Sequence, residues 1–260
     1  MQNQKALAAV AASMLVFATN VVAGDLLWLS DTSNMLGTVD VETGSVSLVG
    51  NTGVFLSDIA FSPSGDLYGI SFSNLYSVNK VTAAITLIGA HGMTSSPNAL
   101  VFDSDGTLYA AGSSLYTLNT ATGASSLVGA IGFQSSGDLA FVNSKLYLSA
   151  TGGDRLVEVN PNTGQGSLIG SIGFPNVYGL ATPDNVSLFG LSGNSVIAID
   201  ATSGAGSFLA DFSPSGTLGI AAGSAFFSEA TPPIPEPSTS ALFVVGVSAI
   251  LACARRRTTA

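Results

Sequence analysis

The sequence predicts an all-β protein, a β-propeller of about five four-stranded blades, and three observations lead there. One phrase of eleven residues recurs as Asp40–Gly50 "DVETGSVSLVG", Asn79–Gly89 "NKVTAAITLIG", Asn119–Gly129 "NTATGASSLVG", Asn160–Gly170 "NPNTGQGSLIG" and Asp200–Ala210 "DATSGAGSFLA". Its first residues lie 39, 40, 41 and 40 positions apart, and a fixed period near this length marks a blade, solenoid or array. A second phrase keeps the same step: "IAFSPSGDLYGI" from Ile59, "LVFDSDGTLYAA" from Leu100, "LAFVNSKLYLSA" from Leu139 and, more weakly, "LATPDNVSLFGL" from Leu180. Finally, the adjacent apolar pairs Leu67-Tyr68, Leu108-Tyr109 and Leu146-Tyr147 must point to opposite faces of their strands. Both faces then need cover, as when one sheet stands between two others in a ring.

Each unit divides into four short strands. In the second unit they fall near Ser57–Phe61, Asp66–Ser71, Asn74–Asn79 and Ala84–Ile88, separated by Gly, Pro, Asn, Asp and Ser. "SPSG" and "DSDG" are hairpin turns between first and second strands, and "NxxTG" turns the third into the fourth, with glycine supplying a positive φ. At the N-terminal end "DLLWLS" takes a second-strand place, followed by Asn34–Asp40 and Ser45–Val49. The missing first strand is expected from Leu218–Ala222, which closes the ring; Ala225–Ser228 competes with Leu26–Ser30 for the second-strand place. A parallel β-helix is the alternative architecture, but its coils are usually shorter and its hairpins fewer. The phrasing "LY…N…TG…L-G" resembles bacterial β-propeller repeats of the quinoprotein and NHL type, a resemblance that implies fold and not activity.

The two ends carry addresses. Lys5, the apolar run Ala6 to Phe17 and the small residues Val21-Val22-Ala23 form a secretory signal peptide over residues 1–23, cleaved between Ala23 and Gly24. Residues 24–230 form the repeat domain, 231–237 a Pro-rich linker, and 238–257 an apolar anchor closed by arginines. The 17 residues from Ser238 to Ala254 make a helix of roughly 26 Å against a hydrocarbon core of about 30 Å. Local thinning and snorkelling of Arg255, Arg256 and Arg257 supply the difference, and the arginines hold that end on the cytoplasmic side. The order Pro235-Glu236-Pro237, apolar helix, triple arginine resembles the PEP-CTERM sorting signal. That resemblance implies recognition and processing by an exosortase-like membrane protease, in an exopolysaccharide-producing bacterium. Pro235, Glu236 and Pro237 then form the recognised motif, and Arg255 to Arg257 the topological lock.

Composition narrows the partners. All 16 acidic residues follow the signal peptide, while Lys80, Lys145 and Arg155 are the only bases between it and the tail. This balance disfavours nucleic acid and anionic lipid as ligands of the domain. Cys253, the single cysteine, lies in the anchor, so no intrachain disulfide forms and burial alone holds the domain. Only 9% of residues are charged, which leaves Ser, Thr, Asn and Gly to cover most of the surface. Such a surface suits a polysaccharide matrix or glycosylated hydroxyls.

Chemistry is sparse, and neither a catalytic residue, a cofactor nor a metal is expected. His91 is the only histidine, and Thr52, Ile131, Ile172 and Phe212 hold its place in other units, so imidazole is not what the position requires. No nucleophile elbow accompanies it. "DSDG" at Asp103–Gly106 opens like a calcium loop but lacks the later ligands, and its counterparts "SPSG" and "VNSK" read as turns. The remaining candidates are Asp58, Asn98, Asp138 and Tyr178, at or beside the start of each innermost strand. They are expected to ring the mouth of the central channel. There they either satisfy loop amides and channel water or hold a cation or a sugar hydroxyl. The functional expectation is a protein exported through an inner-membrane-anchored intermediate to the cell surface or extracellular space. Its role there is structural, adhesive or polysaccharide-associated. The alternatives are a metal-dependent propeller hydrolase or lyase, or a glycan-binding module acting through the channel.

Overall fold

Each forty-residue unit folds into one antiparallel sheet of four strands, and five such sheets make the ring of a β-propeller. The computed structural model describes residues 26–230. The expected signal peptide with its Ala23–Gly24 junction, and the expected linker and anchor with Pro235 to Pro237 and Arg255 to Arg257, lie outside the described residues. Among the described residues no helix is long and apolar enough to cross a membrane.

Blade one contains Leu26–Asp31, Met35–Asp40 and Val46–Asn51 (β1 to β3). Blade two contains Asp58–Phe61, Leu67–Ile70, Asn74–Val78 and Ile85–Ala90 (β4 to β7). Blade three is Ala99–Phe102, Leu108–Ala111, Ser114–Leu118 and Ser125–Ala130 (β8 to β11). Blade four is Ser135–Val142, Lys145–Ala150, Arg155–Val159 and Gly166–Ser171 (β12 to β15). Blade five is Val177–Ala181, Leu188–Ser192, Ser195–Ile199 and Gly206–Asp211 (β16 to β19), and Ala221–Phe226 (β20) returns to complete blade one. The expected strands of the second unit sit within one or two residues of β4 to β7.

Ring closure differs in detail from the expectation. The closing strand is β20, which pairs with β1 through Leu27↔Phe226, Trp28↔Ala225 and Leu29↔Ser224. Ala225 and Phe226 are therefore partners of β1 and not its competitors. Leu218, expected in the closing strand, instead packs its side chain into the cluster between blades one and five. Every residue of β20 is buried, so a run of small residues covered on both sides had no alternation by which to set its register.

The core is five apolar clusters, one at each junction of neighbouring blades. Leu67 lies in the cluster between blades one and two, while Tyr68 packs on the cluster between blades two and three. Leu146 and Tyr147 divide in the same way between the two sides of blade four. A fully buried leucine contributes about 1.5–3 kcal/mol, and every second strand supplies one to each junction or an aromatic equivalent. The aromatic edges continue across junctions, as in Trp28 on Phe61 at 5.6 Å and Tyr109 on Phe141 at 5.8 Å.

The recurring phrase encodes a joint. Its leading Asn or Asp turns its Oδ1 back onto two backbone amides: Val81 and Thr82 for Asn79, Ala121 and Thr122 for Asn119, Thr202 and Ser203 for Asp200. The final glycine lies on the turn of the next blade. A Cβ at Gly129 would overlap the Thr163 carbonyl oxygen, one at Gly89 the Thr122 carbonyl, and one at Gly170 the Ser203 carbonyl. Backbone thus meets backbone between blades, which only a residue without a side chain permits. The last joint closes with Asp211 of blade five against Gly44 of blade one.

Candidate functional site in the central channel

The innermost strands β4, β8, β12, β16 and β20 line the axis, running in the same direction because each blade repeats the same order. Their equivalent positions at one level of the channel are Asp58, Ala99, Asp138, Gly179 and Gly223. The two aspartates fill that level, and their neighbours are small because the space is taken. A Cβ at Gly223 would overlap Oδ1 of Asp58, and one at Gly179 would stand 2.5 Å from Oγ of Ser224.

Both carboxyl groups are fully occupied by the protein itself. Asp58 Oδ1 accepts the amide N–H groups of Ile59 at 2.8 Å and Ser224 at 3.2 Å, and its Oδ2 accepts the Leu100 N–H. Asp138 Oδ1 accepts the Leu139 N–H at 2.7 Å, while its Oδ2 accepts the Leu180 N–H at 2.7 Å and the Ser224 hydroxyl at 3.2 Å. Ile59, Leu100, Leu139, Leu180 and Ser224 belong to blades two, three, four, five and one. Two side chains therefore hold an amide from every blade, and the pair is the hub of the ring.

The electrostatics follow from burial. Asp58 and Asp138 are both 0% exposed. Desolvation pushes Asp58 well above the usual carboxylate range, and the nearby Asp138 charge adds to it. Burial likewise pushes Asp138 up to about 8, against the lowering effect of the Asp58 side chain and of the Leu180 and Leu139 amides. The pair keeps at least one proton at neutral pH, because two ionised carboxylates buried side by side repel.

Glu229, in the turn after β20, is a third buried carboxyl. It is buried, its Oε1 has no hydrogen-bond partner, and burial followed by the Asp138 charge raises its pKa well above the ordinary value. Sequence reasoning missed Glu229 and Ser224. Both lie beyond the last complete repeat, where no period flags them.

The expected ring at the channel mouth is corrected in three respects. Asp58 and Asp138 lie inside the channel and not at its mouth, because the backbone N–H donors to their carboxyl groups belong to the inner strands and both side chains are fully buried. Asn98 aligns with Ser57, one residue before the aspartate level, and its Nδ2 donates to the Ser136 carbonyl at 2.9 Å. It ties the connection into blade four, with its Oδ1 buried and unpartnered. Tyr178 also aligns with Ser57, and its hydroxyl reaches Oδ1 of Asn176 at 3.2 Å.

His91 is a packing residue. Its Nδ1 accepts the Met93 N–H at 3.1 Å, its Nε2 faces the Ser71 carbonyl at 3.3 Å, and burial lowers its pKa. The backbone at this position carries the repeat: the carbonyls of His91, Ile131 and Ile172 each accept an amide from the next blade, Ser125, Gly166 and Gly206. Asp103 spends its Oδ1 on the amides of Asp105 and Thr107, which makes "DSDG" a turn. Among the described residues no three His, Cys, Asp or Glu side chains converge as metal ligands.

No family model matches the chain, and no curated protein matches it. Among solved structures, one from work on the de novo evolutionary emergence of a symmetrical protein aligns with TM-score 0.52 and 19% identity. It covers 81% of this chain and 100% of its own. A structure of a nidogen/laminin complex aligns with TM-score 0.56 and 14% identity over 81% of this chain and 83% of that one. Virginiamycin B lyase from Staphylococcus aureus aligns more loosely, with TM-score 0.45 and 13% identity over 72% of this chain and 66% of its own. At these identities the first two likenesses establish the propeller fold and nothing about activity.

Proposed function

We propose that this chain is an exported, non-catalytic propeller, sorted by an exosortase-like membrane protease and delivered to the cell surface or extracellular matrix as a structural, adhesive or polysaccharide-associated component. The observation that carries the proposal is the three-part tail: Pro235-Glu236-Pro237, the apolar run and Arg255 to Arg257. A secretory leader at the other end agrees with it. The hub supports the non-catalytic part. A lactonase or lyase needs carboxylates free to bind an ion or move a proton. Asp58 and Asp138 are instead engaged by amides from all five blades. A low-charge surface of Ser, Thr, Asn and Gly supports association with neutral polymers over nucleic acid or anionic lipid.

The test is expression in the native host of the full chain and of a version ending after Ala230, which keeps every described residue. Fractionation and intact mass should place the full chain first in the inner membrane, then as a shortened form outside it. The truncated version should appear free in the periplasm or medium. Identical location and processing of the two would refute the sorting proposal.

A further inference from the structure

We propose that residues 227–230 are a latch across one end of the central channel, and that loss of a proton from Glu229 opens it. After β20 the chain turns over the end at which the inner strands finish. Phe227 lies edge-on against Phe61 at 5.3 Å, with the Lys80 ammonium 5.0 Å from its ring. The Ser228 hydroxyl donates to the Pro183 carbonyl at 2.6 Å, just past the end of β16. Ala230 is 2% exposed and packs with Ala60, Leu100 and Phe102 of blades two and three. A strap that starts in blade one thus touches blades two, three and five, and it carries Glu229 inward.

Glu229 is the weak point of that closure. Its relative exposure is 7%, its Oε1 is unpartnered, and the charge that acts on it is that of the Asp138 carboxyl. No base faces it among the described residues. Lys80 lies on the outer side of Phe227 and donates to the Gly65 carbonyl, and Asp184 next to Pro183 is held by Val186 and Ser187. The Phe226 and Thr182 amides favour the charged form, but burial and the Asp138 charge outweigh them, so the closed position holds the protonated group. The strap is also the cheapest element to move. Phe227 is already half exposed, whereas the inner strands are clamped at the hub.

Closed, the Glu229 carboxyl has a raised pKa; open, it returns to the ordinary value near 4.3. The latch is therefore fully closed below the ordinary value. Between the ordinary and the raised value, the open-to-closed ratio grows about tenfold per pH unit.

Hydrogen exchange on the full chain tests this between pH 5 and 9, in the wild type and in Glu229→Gln. Comparing the two proteins at each pH cancels the intrinsic pH dependence of amide exchange, and the amides of β10 serve as an internal reference. The expected result is strap exchange at Glu229 and Ala230 that rises with pH relative to Glu229→Gln, by up to about tenfold per pH unit, with β10 and β20 unchanged. A flat ratio overturns the latch. So does loosening of β20 in step with the strap, which would make the carboxyls a feature of global stability. Should Glu229→Gln fail to fold, the wild-type strap against its own β10, corrected for intrinsic rates, gives the same decision.

Discussion

Replacing Asp138 with asparagine separates the two properties of the hub, hydrogen bonding and charge. Asparagine keeps the shape but offers one acceptor and one N–H₂ group. Either the Leu139 or the Leu180 amide then meets a donor where it had an acceptor. Leaving one buried amide unsatisfied costs about 1–3 kcal/mol, which is the expected loss near pH 4. Charge acts in the other direction. Burial pushes the folded Asp138 carboxyl up to about 8, far above the ordinary aspartate value. Because the folded value is the higher, its stabilising contribution is complete below the unfolded pKa and is lost as pH rises through the folded one. The wild type should therefore lose roughly 1.4 kcal/mol per pH unit through this group alone over that window. Asp138→Asn lacks the group, and it also removes a charge that raises Asp58 and Glu229. Its stability curve should be flatter and should cross that of the wild type between about pH 5 and 7. Urea unfolding at half-unit pH intervals, with m-values checked for constancy, measures both curves. Parallel curves would show that Asp138 is already ionised in the fold and would refute its raised pKa, leaving Asp58 as the only place for the proton of the pair.

Two further outcomes test the repeat. Gly129→Ala should destabilise by about 1–3 kcal/mol, since its Cβ has no space against the Thr163 carbonyl. The control Gly132→Ala, with φ +81° and nothing within 4 Å, should cost about 1–2 kcal/mol from backbone strain alone. A thermal melt in which Gly129→Ala is the milder of the two removes the joint from the argument. Asn119→Ala should cost about 0.5–1.5 kcal/mol for its exposed turn amides, while Asn119→Asp should be neutral, as Asp40 and Asp200 make the same turn. Chemical denaturation of the pair decides it, and a costly Asn119→Asp would show that the amide nitrogen matters.

Much of the fold was legible because the repeat writes local physics five times. The Asn or Asp of the turn answers the amides two and three residues on, and the paired Leu-Tyr answers two neighbouring blades; both are visible within one unit. The joint glycine was visible as a recurring letter, but its partner was not, because the carbonyl it touches lies about 34 residues further on. Asp58 and Asp138 were singled out by alignment of the inner strands. Asn98 and Tyr178 were grouped with them by a shift of one position, which in a strand moves a side chain to the other face.

By itself the sequence determined the blade, its four strands, its turns and the two-sided burial that demands a ring. Local propensity and periodicity act over a few residues, and five copies make them unambiguous. Tertiary structure alone decided where the ring closes, that two aspartates hold amides of all five blades, and that Glu229 is buried with its Oε1 unpartnered. Those facts depend on distances between residues 42 to 188 positions apart in the chain, and burial, which sets the charge of a carboxyl, exists only once those distances have closed.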